Sequence, residues 1–260
     1  MKVWAIGDVH GQANLLNHLL KAINRQRGPE DVLVFLGDYI DRGPDSCGVL
    51  QLVAAELEDR PDLTVALWGN HEDMAFASLG LPSPCGLSRD MAGRTWMSNG
   101  GKECQASFAA HCSSPDELML ACFAWLQPRL RLYYKPEGFP CETIFVHAGV
   151  PLGKSVEELA AMKPSEDLGM WATFTGPEAL LWSRPQPMDK RDTSRLVVCG
   201  HTPQIGTYDN YRGFICIDTG AALGGCLTAV ELSNTGERAF WQVWPNGELT
   251  RTERAIRWGA

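Results

Sequence analysis

The apolar positions of residues 1–80 alternate between short continuous runs and longer stretches with helical spacing. Val3 to Ile6 reads as a buried strand. Leu15, Leu16, Leu19, Leu20 and Ile23 recur on one helical face, and Gly28-Pro29 stops that helix. Val32 to Leu36 predicts a second strand. Val49, Leu50, Leu52, Val53 and Leu57 predict a second helix, closed before Pro61. Thr64 to Trp68 predicts a third strand, with a short helix beginning near His71. The order is βαβαβ, which implies a mostly parallel, buried sheet, because parallel neighbours need a crossover between them.

Residues 80–114 carry Gly, Pro and Ser with weak periodicity and predict a loop-rich excursion over the sheet. Pro115 to Gln127 predicts a helix whose opening Pro-Asp-Glu suits a helix N-terminus. The second half is richer in strands: Thr143 to Val146, Leu196 to Cys199, Phe214 to Ile217, Leu227 to Leu232 and Ala239 to Val243. Ser155-Val156-Glu157-Glu158 has the spacing of a capping box. Residues 163–195, rich in proline and charge, predict a second loop-rich excursion. There is no internal repeat and no linker composition. The expectation is one α/β domain over residues 1–260, a two-layered sheet core covered by helices that draws strands from both halves.

Composition narrows the function classes. The chain has 260 residues, 45% of them hydrophobic, and a net charge of -8. That balance advertises no basic face for nucleic acid or anionic lipid. Any affinity for phosphate must therefore be local, from metal ions or a few arginines. Nine cysteines with no C-x-x-C pair argue against a disulfide framework or a structural zinc site and for free thiols. No apolar run approaches the roughly 20 residues that span a bilayer, and Met1 to Asp8 lacks the pattern of a signal peptide. A cytoplasmic protein without a membrane partner is expected.

The chemistry sits where strands end. Gly7-Asp8-Val9-His10-Gly11, Gly37-Asp38-Tyr39-Ile40-Asp41-Arg42-Gly43 and Gly69-Asn70-His71-Glu72 follow the first three strands. His147-Ala148-Gly149 and Gly200-His201-Thr202-Pro203 follow two later ones. Loops at the carboxyl ends of parallel strands converge on one sheet edge. The five loops therefore gather Asp, His and Asn side chains, hard or borderline ligands suited to Mn, Fe or Zn. A single post-strand histidine is usually a loop or core residue, and His18 and His111 are left so. Four of the six histidines in such motifs are harder to assign to chance. There is no G-x-S-x-G and no H-E-x-x-H.

In this order, GDVHG, GDYIDRG, GNHE, HAG and GHTP resemble the signature of the phosphoprotein phosphatase family of calcineurin-like metallophosphoesterases. Trp96 with Asn99-Gly100-Gly101, Trp182-Ser183-Arg184 and Ile217-Asp218-Thr219-Gly220-Ala221 are similar to its bacterial and phage lambda phosphatase branch. The resemblance implies two mixed β-sheets packed as a sandwich and flanked by helices. It implies one divalent metal on Asp8, His10 and Asp38 and a second on Asp38, Asn70, His147 and His201, with manganese first among Mn, Fe, Zn and Ni. It makes His71 the general acid, Asp41 its orienting carboxylate, and Arg42, Arg184 and Asn70 substrate-binding groups. The implied reaction is direct attack of a metal-bridging hydroxide on a phosphomonoester, with phosphoserine or phosphothreonine proteins or small monoesters as substrates. Glu72 is expected to support the site or the helix start rather than react, Asp218 to support the site or simply to sit in a turn at the end of its strand, and Asn99 has no defined role.

A symmetrical bis(5'-nucleosyl)-tetraphosphatase shares this framework. That branch typically shows GNHD and departs from DRG, whereas this chain carries Glu72 and retains Asp41-Arg42-Gly43. A catalytically inactive phosphoprotein-binding scaffold is a third reading, disfavoured because every implied ligand position is intact.

Overall fold

The computed structural model describes residues 1–151, 153–164, 174–184, 195–209 and 213–254. The first half builds β1 (Lys2–Ile6), α1 (Ala13–Asn24), β2 (Val32–Phe35), α2 (Ser46–Asp59), β3 (Thr64–Leu67), α3 (Asn70–Ser78), α4 (Arg89–Trp96), α5 (Lys102–His111) and α6 (Pro115–Leu126). Two-residue strands β4 (Leu130–Arg131) and β5 (Tyr133–Tyr134) lead to β6 (Glu142–Val146), α7 (Val156–Ala161), α8 (Glu178–Trp182) and β7 (Arg195–Cys199). The chain continues through β8 (Tyr208–Asp209), β9 (Phe214–Cys216), β10 (Leu227–Ser233), β11 (Arg238–Val243) and β12 (Leu249–Arg254).

Two mixed sheets result. The larger has the order β12-β11-β10-β1-β2-β3-β4, the smaller β5-β6-β7-β9-β8. Strands β1 to β4 run parallel, and β10 adds antiparallel to β1, Trp4 opposite Glu231. In the second sheet β6, β7 and β9 are parallel, with antiparallel β5 and β8 at the edges. The sheets pack face to face. Alternate residues Val3, Ala5, Val34, Leu36, Val65 and Leu67 meet Phe145, Leu196, Val198, Ile215 and Ile217 in the inner layer. The other set, including Trp4, Ile6, Leu33 and Phe35, packs with Leu16, Leu19, Val49 and Val53 of the helices. Both faces of these strands are buried, so their sequences read as continuous apolar runs rather than alternation.

The structure corrects three expectations. The five site loops belong to two sheets, not to one parallel sheet: β1, β2 and β3 supply three, β6 and β7 supply two. Residues 80–114 are largely helical, through α4, a π turn at Met97–Gly101 and α5. Their helical periodicity is weak because only Ala92, Trp96, Gly101, Cys104, Ser107 and Phe108 are buried in these elements. Within the second expected excursion, α8 is a helix with Glu178 to Leu181 buried, while 165–173 and 185–194 lie outside the described residues. Ser155 does cap α7, accepting from the Glu157 and Glu158 amides. All nine cysteines are unpaired.

Candidate metal centre and active site

Each site loop is tied to its neighbours through the backbone. The Val9 and His10 amides both donate to the Asp38 carbonyl at 3.1 and 2.8 Å, and Gly11 donates to Tyr39 at 2.9 Å. Within the smaller sheet, Gly200 N donates to His147 O at 2.8 Å. Glu72 locks two loops together. Its fully buried carboxylate accepts from the amides of Asp38, Tyr39, Ile40 and Gly69 at 2.8 to 3.3 Å. Gly69 must be glycine for this approach, since a Cβ would sit 2.2 Å from both Asp38 N and Asp38 Oδ1. Asp38 also accepts from His71 N at 3.1 Å, placing its negative charge at the N-terminus of α3.

Among the described residues, five non-glycine residues have left-handed φ: His10 (43°), Asp38 (52°), Asp41 (74°), Arg42 (63°) and His201 (67°). All five are candidate site residues. Backbone strain of this kind concentrates where surrounding structure holds a functional geometry.

Two clusters of potential ligand atoms share Asp38: His10, Asp38 and His71, and Asp38, His147 and His201. His10 bonds Ile40 O through Nδ1 at 2.9 Å, which leaves Nε2 bare, 3.3 Å from Asp38 Oδ2. Arg42 Nη1 lies 2.7 Å from that bare nitrogen. His147 bonds Leu36 O through Nδ1 at 2.8 Å, so its Nε2 is also bare, 3.0 Å from Asn70 Oδ1 and 3.5 Å from Asp38 Oδ1. His201 Nδ1 is 3.0 Å from the same Asn70 oxygen, and its buried Nε2 has no hydrogen-bond partner among the described residues.

These contacts test whether cations fit. At His147 a bare ring nitrogen faces an amide oxygen and a carboxylate oxygen with no proton to share between them. Such an arrangement is repulsive until a positive ion stands among the donors. Burial and local charge point the same way. Burial drives the His10 imidazole down to about 3, with the His71 ring adding to it. Burial also lowers His147 and His201, so all are neutral, the ligand form. Burial alone would raise Asp38, but the surrounding histidines, charged where the carboxyl titrates at acid pH, outweigh it and hold the carboxyl low. Asp8 is raised by burial and then by Asp218 and Asp38. Carboxylates crowded without counter-charge are what divalent ions relieve. The donor set fits.

The expected site residues are brought together, with one difference in grouping. His71 rather than Asp8 completes the first cluster, while both Asp8 oxygens accept from His201 N at 3.1 and 3.0 Å. His71 is engaged elsewhere as well. Its Nδ1 lies 2.6 Å from Asp41 Oδ2, and its Nε2 points inward, 4.0 Å from Asp38 Oδ2. Arg42 and Arg184 are exposed at the rim, with Arg184 Nη1 donating to Thr202 Oγ1 at 3.2 Å beside His201. Asp218 is buried behind Asp8, its carbonyl taking Gln204 N and its Oδ1 taking Gly220 N. Asn99 stays local, donating to Thr95 O.

Sequence reasoning missed two supports. Ser46 Oγ accepts from Asp41 N at 3.0 Å, and Cys216 Sγ lies 3.4 Å from the carbonyls of Gly200 and Thr202 on either side of His201. Ser46 is five residues beyond Asp41 and was findable as a turn partner. Cys216 carries no local signal, because only sheet pairing brings it to that loop.

Residues 1–223 match the family model described as calcineurin-like phosphoesterase. The chain belongs to that family. Its relatives in this family are of the phosphoprotein phosphatase type. Serine/threonine-protein phosphatase 1 of Salmonella typhimurium is 29% identical over 236 residues, covering 88% of this chain and 91% of the relative. An asymmetrical bis(5'-nucleosyl)-tetraphosphatase, PrpE, of Oceanobacillus iheyensis is 28% identical over 242 residues, covering 88% of each. A solved serine/threonine phosphatase from Saccharomyces cerevisiae shares the fold, with TM-score 0.58, 16% identity and coverage of 99% of this chain and 81% of that one. The family uses divalent metals, and phosphoesterase hydrolysis is the activity this calcineurin-like phosphoesterase shares with it. Among the described residues no helix is long and apolar enough to cross a membrane.

Proposed function

We propose that the protein is a metal-dependent serine/threonine protein phosphatase, hydrolysing phosphate monoesters with His71 as general acid. The observation that carries this reading is the buried Asp41–His71 pair, with a 2.6 Å contact on one ring nitrogen and the other turned into the metal cluster. A serine or threonine alkoxide is a poor leaving group and needs a proton as it departs. Two divalent ions, held by Asp8, His10 and Asp38 and by Asp38, Asn70, His147 and His201, would supply Lewis acidity toward the phosphoryl oxygens and an attacking water. Manganese heads the candidates among metals these ligands accept.

The side chains do the rest. Arg42 and Arg184 present planar forks at the rim that match phosphoryl oxygens. Asp41 accepts from His71 Nδ1–H, fixing the ring so that a proton carried at Nε2 faces the substrate. Burial raises the Asp41 carboxyl and lowers His71 to about 4, so the resting ring is neutral, and the general-acid role requires the Nε2 proton to be taken up with the negatively charged phosphoryl group beside it. Retention of Asp41-Arg42-Gly43 and Glu72 supports the protein phosphatase branch.

The second reading is a bis(5'-nucleosyl)-tetraphosphatase, and the PrpE relative of nearly equal identity favours it. Rates on a phosphoserine or phosphothreonine peptide and on diadenosine tetraphosphate, measured side by side with Mn²⁺, separate the two. Preference for the peptide is expected. Faster hydrolysis of the dinucleotide overturns it, and the products then distinguish symmetrical from asymmetrical cleavage. Peptide binding without turnover would restore the scaffold reading.

A further inference from the structure

The Asp41 carboxylate has two oxygens and two different partners. Oδ2 meets His71 Nδ1 at 2.6 Å, and Oδ1 accepts from the indole Nε1 of Trp96 at 2.8 Å. Asp41 is fully buried and Trp96 is nearly so. The torsion that turns a carboxylate plane is broad, so one hydrogen bond leaves that plane soft. A second donor on the opposite oxygen fixes it.

The segment that brings Trp96 there is built against the same loop. Trp96 ends α4, and the chain passes through the π turn at Met97–Gly101 into α5. A π turn inside helical structure often marks a functional site. Gly100, with φ 112°, lies flat on the loop: a Cβ there would meet Arg42 N at 2.5 Å and Asp41 Cβ at 3.0 Å. Asp41 and Arg42 both carry left-handed φ, so something outside the loop must hold them. The α4–α5 cap supplies that hold, and Trp96 is its polar contact with the proton-delivering pair.

We infer that Trp96 is a positioning residue, whose indole N–H sets the plane of the Asp41 carboxylate and so aims His71 Nε2 at the leaving oxygen. This rests on His71 being the general acid. The bland alternative is a buried indole that merely finds an acceptor, as Trp241 does on Glu231 at 3.0 Å. A purely structural tryptophan would affect all substrates alike.

The test is Trp96→Phe in the metal-loaded enzyme, with kcat measured on a phosphoserine peptide and on p-nitrophenyl phosphate, whose leaving group needs little protonation. The expected result is a roughly 10-fold loss on the peptide, less than about 3-fold on the aryl phosphate, and unchanged metal content. Added to Asp41→Asn, the same substitution should produce no further selective loss. Equal losses on both substrates, or a selective loss that persists without the Asp41 carboxylate, overturn the inference. His71→Asn is run alongside. If it is selective and Trp96→Phe is not, only the role of Trp96 fails; if it is unselective, the general-acid reading fails and this inference with it. Should Trp96→Phe not fold, Trp96→Met also removes the donor while filling the space, and the same outcomes decide.

Discussion

His71 can be misread at the residue scale, since its Nε2 belongs to a ligand cluster while its Nδ1 is held by Asp41. Leaving-group dependence resolves the two roles. His71→Asn is expected to slow a phosphoserine peptide by roughly 10²–10⁴-fold and an aryl phosphate much less, as loss of a general acid does. Loss of bound metal in His71→Asn, measured by elemental analysis, would instead make His71 a ligand. The motif residues Asp8, His10, Asp38, Asn70, His147 and His201 could be picked from the sequence because each sits beside a strand end and a glycine. Their hydrogen-bonding states could not. Which histidine nitrogen is bare depends on carbonyls such as Ile40 O and Leu36 O, the latter 111 residues from its ring.

Among elements, α3 does more than carry Asn70 and His71. Its Glu72 accepts four backbone amides, three of them in the Asp38 loop, and so joins the second and third strands' loops into one unit. Glu72→Ala leaves those buried donors without an acceptor, at roughly 1–3 kcal/mol for each group left unsatisfied. Urea unfolding of the variant should show a loss of at least about 3 kcal/mol. A loss below about 1 kcal/mol would mean that water or another group replaces the carboxylate. The GNHE motif announced a helix start, but the reach of Glu72 across to Asp38 is a tertiary fact. The α4–α5 cap was illegible for another reason: few of its residues face the core, and helices buried on a narrow strip give little periodic signal.

For the whole molecule, the buried charge of the site would couple folding to metal binding. Burial holds the Asp218 carboxyl at about 6 against an ordinary 3.8. A raised folded value means stability is fully present below 3.8 and is lost as pH rises through about 6, when this buried acid must ionise. Cations offset that loss, and neutral histidines and ionised carboxylates are also the forms that bind them. The melting-temperature increase on adding Mn²⁺ should therefore be larger at about pH 8 than at about pH 5. An increase independent of pH, read by calorimetry with and without chelator, would argue that the ions do not bind at this cluster.

The sequence by itself determined the strands, their buried character and the identity of nearly every candidate ligand, because continuous apolar runs and glycine-flanked polar loops are local signals. The family likeness followed from the order of those motifs. Only the tertiary structure decided which loop belongs to which sheet, that β10 joins β1 through antiparallel pairing, and through which contacts Trp96, Glu72 and Cys216 brace the site. Those outcomes depend on which distant backbone and side-chain groups meet. The hydrogen bonds from Cys216 to Gly200, from Asp38 to Glu72 and from Trp96 to Asp41 join groups 16 to 55 residues apart, beyond the reach of any spacing rule.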